Sequence, residues 1–227
     1  MKQPKISWPQ AKYIATDLVR RRASSDPDSF THTLQDARVD LNPHQMESAL
    51  FAFRSPLSGG AILADEVGLG KTIEAGIILS QKWAERKRHL VIIAPANLRK
   101  QWVEELEEKF YLPAFILDRK VMDQLLANPE VVNPFETDRI VVCSYDFARR
   151  QERYLRLAQL DLVVLDEAHR LRNVYRPDNQ TGNVLRNALA GKKKILLTAT
   201  PLQNSLLELY GLTSFIDEYA FGDLKSF

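Results

Sequence analysis

The stretch Ala61 to Ala75, AILADEVGLGKTIEA, decides the reading of the chain. A short apolar strand, Ala61 to Leu63, runs through a glycine-containing turn into Lys71, Thr72 and a helical pattern that continues to Arg86. Glycines at 68 and 70 let the backbone amides of Val67, Gly68, Leu69 and Gly70 curl around phosphate oxygens. Lys71 adds a point charge, and the Thr72 hydroxyl stands at a helix N-terminus, where it is placed to bind Mg²⁺. A full G-x-x-x-x-G-K-T phosphate loop has glycine where this chain has Asp65.

On either side of that loop, apolar runs rich in β-branched residues or leucine read as strands buried on both faces. The strongest are Leu90 to Ala94, Leu160 to Leu165 and Ile195 to Leu197, with weaker ones at Ala61 to Leu63, Ala114 to Leu117 and Ile140 to Cys143. Helical stretches such as Asn97 to Phe110 alternate with them. The alternation predicts an α/β fold, a mainly parallel sheet sandwiched by helices, with its ligand site at the carboxyl ends of the strands. One strand, in DLVVLDEAHR (161–170), ends in two adjacent carboxylates. Asp166 is placed to hold a magnesium ion, and Glu167 to orient and polarise a water attacking a γ-phosphate. The interval from Lys71 to Asp166 leaves room for the strands needed to bring the two segments onto adjacent strands.

These segments together resemble superfamily-two helicases, and specifically the SWI/SNF-like DNA translocases. DEVGLGKT (65–72) is similar to that family's version of the phosphate loop, DEAH (166–169) to its second motif, and LTATPLQN (197–204) to its third. LNPHQ (41–45) resembles the adenine-reading Q motif, IIAPANLRKQW (92–102) motif Ia, and CSYDF (143–147) motif Ib. ADEVGLGKTIEAG (64–76) is most similar to the bacterial RapA-like branch, and TAT in motif III, where many eukaryotic remodellers have TGT, agrees. The resemblance implies a RecA-like P-loop lobe with ATP and Mg²⁺ as cofactors. It implies that Gln45 contacts adenine, Lys71 the phosphates, Thr72 and Asp166 the metal, and Glu167 the attacking water. His169, Thr198 and Thr200 would link nucleotide state to DNA binding, and Asn97, Arg99, Lys100, Ser144 and Asn204 would meet DNA. The implied partners are double-stranded DNA, a second RecA-like lobe and further protein subunits. No motif VI arginine follows Leu206 to Ile216, so the expectation is the first lobe of a longer protein, at 41–227, behind an N-terminal extension at 1–40.

Composition bounds the remaining choices. With 227 residues, 45% hydrophobic and 26% charged, the chain is long enough for one sizeable core. A net charge of +2 excludes the acidic disordered and histone-like classes, so any DNA surface must be local. The single cysteine, Cys143, excludes an internal disulfide and, lying in an apolar strand, reads as buried and inert; a cytoplasmic setting is expected. No signal-peptide run and no stretch of ~18 to 20 apolar residues points to a membrane.

Gln10 to Arg22 has the pattern of an amphipathic helix, and Arg20 to Ser29 that of a loop. Trp102, with Leu98, Leu106 and Phe110 at helical spacing, reads as a core anchor rather than a base-stacking platform. Lys192 to Lys194 reads as a solvated strand entry, and Arg99 and Lys100 as either a solvated helix start or phosphate contacts. Arg149, Arg150, Arg153 and Arg156 form the best basic patch, with a solvated helix as the alternative. His32, His44 and His89 have no matching metal ligands. Competing functions are the motor of a restriction or phage-defence complex, a non-hydrolytic docking module and a small-molecule P-loop kinase. Intact Lys71, Asp166 and Glu167 argue against the second, and Gln45 with LTATPLQN against the third.

Overall fold

The computed structural model describes residues 42–65, 70–175, 179–200 and 206–222. The expectations for 1–40, Leu41, Val67, Gly68, Leu69 and Asn204 lie outside the described residues. Strands β1 (Gly60–Leu63), β2 (Leu90–Ala94), β3 (Ala114–Ile116), β4 (Ile140–Ser144), β5 (Leu162–Leu165) and β6 (Lys194–Leu197) form a 6-stranded sheet in the order β1-β6-β5-β2-β4-β3. Every neighbouring pair is parallel. Helices α1 (Pro43–Arg54), α2 (Lys71–Ala84), α3 (Arg99–Phe110), α4 (Arg119–Leu126), α5 (Tyr145–Arg150), α6 (Glu152–Leu157), α7 (Gln180–Ala188) and α8 (Leu206–Ile216) cover its faces, and a 3₁₀ turn spans Ala168–Leu171.

The near-continuous apolar runs follow from this arrangement, because a parallel strand between two helical layers has no face in water. Alternation splits β2 between two cores. Leu90, Ile92 and Ala94 pack with Ala49 of α1, Ile78 of α2, and Trp102 and Leu106 of α3. Val91 and Ile93 point the other way, into a core with Met122 of α4, Leu155 of α6, Leu185 of α7 and Phe215 of α8. Helices α2 and α3 approach closely at Gly76, where a Cβ would overlap the Phe110 ring. Cys143 is fully buried, and burial pushes its thiol up to about 12, as an inert cysteine requires.

Three details depart from the sequence reading. Strand β5 begins at Leu162, because the preceding Asp161 turns its carboxylate to the entry of β2: Oδ2 accepts from the amides of Arg88 and His89, each at 3.2 Å. The phosphate-loop strand β1 and the carboxylate strand β5 are not adjacent, since β6 lies between them and pairs with both. Nor is the 192–194 lysine run uniformly solvated. Lys194 is 2% exposed, the first residue of β6, and its Nζ donates to the carbonyls of Leu189 at 3.0 Å and Lys192 at 2.9 Å.

Burial, with the charges of Lys192 and Lys193 adding, holds the Lys194 amine down at about 8. An unfolded chain keeps this amine protonated up to its ordinary value of 10.5, so between about 8 and 10.5 the unfolded state binds more protons and stability rises with pH. Lys194→Met removes that titration. Urea midpoints of parent and variant, measured from pH 7.5 to pH 10.5, should therefore show a rise for the parent that is flattened in the variant.

Candidate active site

The strand ends bring the singled-out motifs together. Leu63 is in register with Leu197, and Leu196 with Leu165, so the segments starting at Ala64, Thr198 and Asp166 leave the sheet along one edge. Backbone bonds stitch that edge: the Thr198 amide donates to the Leu63 carbonyl at 3.0 Å, and the Asp166 amide to that of Ile93 at 2.9 Å. Motifs Ia and Ib leave the same edge after Ala94 and Ser144, which are themselves paired.

On the phosphate-loop side, Gly70 caps α2 with φ 92, a left-handed conformation that glycine adopts without strain. A Cβ there would overlap the Gln45 side-chain nitrogen, so the expected adenine-reading glutamine lies against the end of the loop. Gln45 is held in place by a reciprocal cap, its Oε1 accepting from the Asn42 amide at 3.2 Å. Lys71 opens α2, and its Nζ donates to the Asp65 carbonyl at 3.0 Å. Thr72 follows it in the first turn, half-buried.

In the same first turn, Glu74 is fully buried, and among the described residues neither of its carboxyl oxygens has a hydrogen-bond partner. Burial, with the neighbouring Asp65 carboxylate adding, pushes it up to about 8. His44 Nε2 lies 3.9 Å from its Oε1. The sequence reading missed this residue, although a lone carboxylate among Ile73, Ala75, Gly76, Ile77 and Ile78 was its visible signal.

Across β6, Asp166 is 8% exposed and held at several atoms. The Trp102 indole nitrogen donates to its Oδ2 at 2.8 Å, the Glu167 amide to its Oδ1 at 2.8 Å, and the Tyr145 hydroxyl to its carbonyl at 2.7 Å. Burial raises the Asp166 carboxyl above its ordinary range, against the opposing effects of the Trp102 and Glu167 hydrogen bonds and the Lys71 charge. Glu167 has φ 50 and ψ 47, an uncommon backbone for a residue with a side chain, which places it at the mouth of the 3₁₀ turn. Its Oε2 lies 3.1 Å from His169 Nδ1, and both side chains are 34% exposed.

These donors suit a small divalent cation. Asp166 offers hard carboxylate oxygens in a site where burial disfavours an unneutralised anion, and the Thr72 hydroxyl is of the same class. Among the described residues no group of three or more His, Cys, Asp or Glu side chains forms a cage.

The remaining candidates sort by exposure. Asn97 and Lys100 are exposed, with Lys100 Nζ 3.3 Å from Glu104 Oε1, and Arg99 Nε donates to the Ala96 carbonyl at 3.1 Å. Ser144 caps α5, its hydroxyl accepting from the Phe147 amide at 3.2 Å. Thr198 is fully buried and its Oγ1 accepts from the amide of exposed Thr200 at 3.2 Å. The basic patch is partly neutralised: Arg149 and Arg150 share Asp146 at 3.2 and 2.7 Å, and Arg156 pairs with Glu152 at 3.2 Å. Trp102 is the core anchor expected, at 2% exposure, but it also carries the hydrogen bond to Asp166 that spacing alone did not show.

A parallel sheet carrying a G-K-T helix start and a strand-end Asp-Glu pair along one edge defines a RecA-like P-loop lobe. The chain belongs to the SNF2-related domain family, which it matches over residues 35–227. It is 40% identical over 190 residues to the uncharacterized ATP-dependent helicase YqhH of Bacillus subtilis, covering 82% of this chain and 31% of YqhH. Its fold matches the SWI2/SNF2 ATPase core of Sulfolobus solfataricus, solved in complex with dsDNA, with TM-score 0.69 and 24% identity over 85% of this chain and 39% of that one. The chain thus spans about a third of the length of these proteins. Among the described residues no helix is long and apolar enough to cross a membrane.

The loop-to-Gln45 contact is testable through Gly70. Gly70→Ala forces a side chain into a left-handed conformation, costing about 1–2 kcal/mol, and pushes on the Gln45 amide. Urea unfolding of the variant should show a loss of at least about that size.

Proposed function

We propose that residues 41–227 form the ATP-binding lobe of a DNA-dependent ATPase. The intact protein would move along duplex DNA and remodel protein–DNA complexes, with 1–40 as an extension of this lobe. The observation that carries the reading is the placement at one edge of the sheet of Lys71, which opens the helix after β1, and of the Asp166–Glu167 pair, which follows β5, on either side of β6 and close enough for the Lys71 charge to act on Asp166. Family membership and the dsDNA complex of the Sulfolobus relative support the choice of substrate and partner. The ADEVGLGKTIEAG loop and the TAT of motif III favour the bacterial RapA-like branch, and the single cysteine favours a reducing, cytoplasmic setting.

In this reading the amides of Val67 to Gly70 and the Lys71 ammonium receive the ATP phosphates, and Gln45 reads the adenine. Lys71 leaves the Asp65 carbonyl for the phosphates, exchanging a neutral acceptor for a charged one. Thr72 and Asp166 would hold Mg²⁺, which when bound would offset the negative charge of the phosphates. Glu167 aligns the attacking water and accepts its hydrogen bond, and His169, in contact with Glu167, reports the change toward the DNA side. A second RecA-like lobe supplies the cationic groups that stabilise the transferring phosphoryl from across the cleft, and further subunits direct the motor to its target.

The decisive measurement is ATP turnover by the full-length protein and by this chain, each with and without duplex DNA. Strong DNA stimulation of the full-length protein is expected. The chain alone should be slower by the 10³- to 10⁵-fold typical of a missing arginine finger. DNA-indifferent turnover by the chain alone would overturn the reading. In the full-length protein, Lys71→Ala should abolish nucleotide binding. Glu167→Gln should retain ATP binding and lose turnover, and parental turnover in that variant would remove Glu167 from its role.

A further inference from the structure

Helix α3 reaches the site twice. Its first turn carries Arg99 and Lys100, and Trp102, in the same turn, lies inside the core at 2% exposure. Packing accounts for the bulk of Trp102, since Leu106 and Phe110 continue the same buried stripe with hydrocarbon alone. It does not account for the direction of the indole N–H. That donor meets neither a backbone carbonyl nor solvent but Oδ2 of Asp166, at 2.8 Å. With the Glu167 amide on Oδ1, each carboxylate oxygen has one donor among the described residues, which fixes the plane of the group. The Asp166 main chain is held independently, through its amide on Ile93 and its carbonyl under the Tyr145 hydroxyl. Among the described residues, Trp102 therefore provides the one side-chain donor that sets the carboxylate itself.

We propose that Trp102 is a positioning residue for the hydrolytic site. Its indole N–H fixes the Asp166 carboxylate in the orientation that holds Mg²⁺, and ties that orientation to the placement of the α3 N-terminus, where DNA contacts are proposed. The inference rests on the reading of Asp166 as the magnesium-side carboxylate. Partners that orient a metal ligand commonly change metal affinity or activity by 10- to 100-fold when removed. The linkage is short: Arg99 and Trp102 are separated by roughly 4.5 Å of helix rise, less than one turn, so a shift of the helix start moves the indole with it.

The test uses the full-length protein in four forms: parent, Trp102→Phe, Asp166→Asn and the double variant. Binding of a fluorescent ATP analogue is measured across a Mg²⁺ series, alongside DNA-stimulated turnover and urea midpoints. Trp102→Phe should raise the Mg²⁺ concentration for half-maximal nucleotide binding by about tenfold or more and reduce DNA stimulation, and it should add nothing in the Asp166→Asn background. An unchanged Mg²⁺ response in Trp102→Phe, with a shifted one in Asp166→Asn, would leave Trp102 a packing residue and overturn the inference alone. Additive effects would do the same. An unchanged response in Asp166→Asn would overturn the magnesium assignment itself and the inference with it. Should phenylalanine lower the urea midpoint, benzothienylalanine at position 102, which keeps the indole's shape without its N–H, is judged by the same outcomes.

Discussion

A carboxylate kept inside the protein is the constraint around which this lobe is arranged. Asp166 follows β5, whose four residues are all buried, and it is itself 8% exposed. Removing a carboxylate from water is costly unless hydrogen bonds and opposite charge offset the loss. Here one offset is local, the amide of Glu167, and two come from far apart in the chain: an indole N–H from α3 and the charge of Lys71 at the start of α2. The two distant ones reach Asp166 only once β1, β2, β5 and β6 are in register. The fold that buries the apolar strands is therefore the same one that makes the buried charge tolerable.

The parallel sheet turns that local solution into a site. Parallel pairing sends every strand end in one direction, so five of the singled-out segments begin along a common edge. Insertion of β6 between β1 and β5 sets the separation between the lysine side and the carboxylate side. It also puts buried Thr198, with its Oγ1 on the Thr200 amide, between the two halves of the chemistry. The lysine side has its own buried acid in Glu74, in the first turn of α2, whose carboxyl is raised by burial and by Asp65. The left-handed backbone of Glu167 adds a third local constraint at the point where the attacking water is proposed to lie.

Much of this was legible in the residues. The strand cores at Leu90 to Ala94, Leu162 to Leu165 and Ile195 to Leu197 were visible because a strand buried on both faces has to be apolar throughout. Helix α2 was visible from glycine, lysine and threonine at its start, since only a helix N-terminus with a permissive turn gives those residues a common purpose. Less legible were positions whose meaning depends on a neighbour distant in sequence. Asp161 looked like part of a strand until the amides of Arg88 and His89 claimed its carboxylate, and Lys194 looked solvated because a lysine run ordinarily is.

The sequence by itself determined the α/β class, the parallel sheet, the phosphate-loop helix and the types of group available for chemistry. Those depend on periodicity, on glycine and on residue type, all of which are local. Only the tertiary structure decided that β6 separates the two halves of the site, that Gln45 lies against Gly70 and that Glu74 is fully buried. The same holds for Trp102, whose spacing announced a core residue but whose N–H found the Asp166 carboxylate 64 positions away. Hydrogen-bond direction between distant segments is set by how strands and helices pack, and no short-range pattern encodes it.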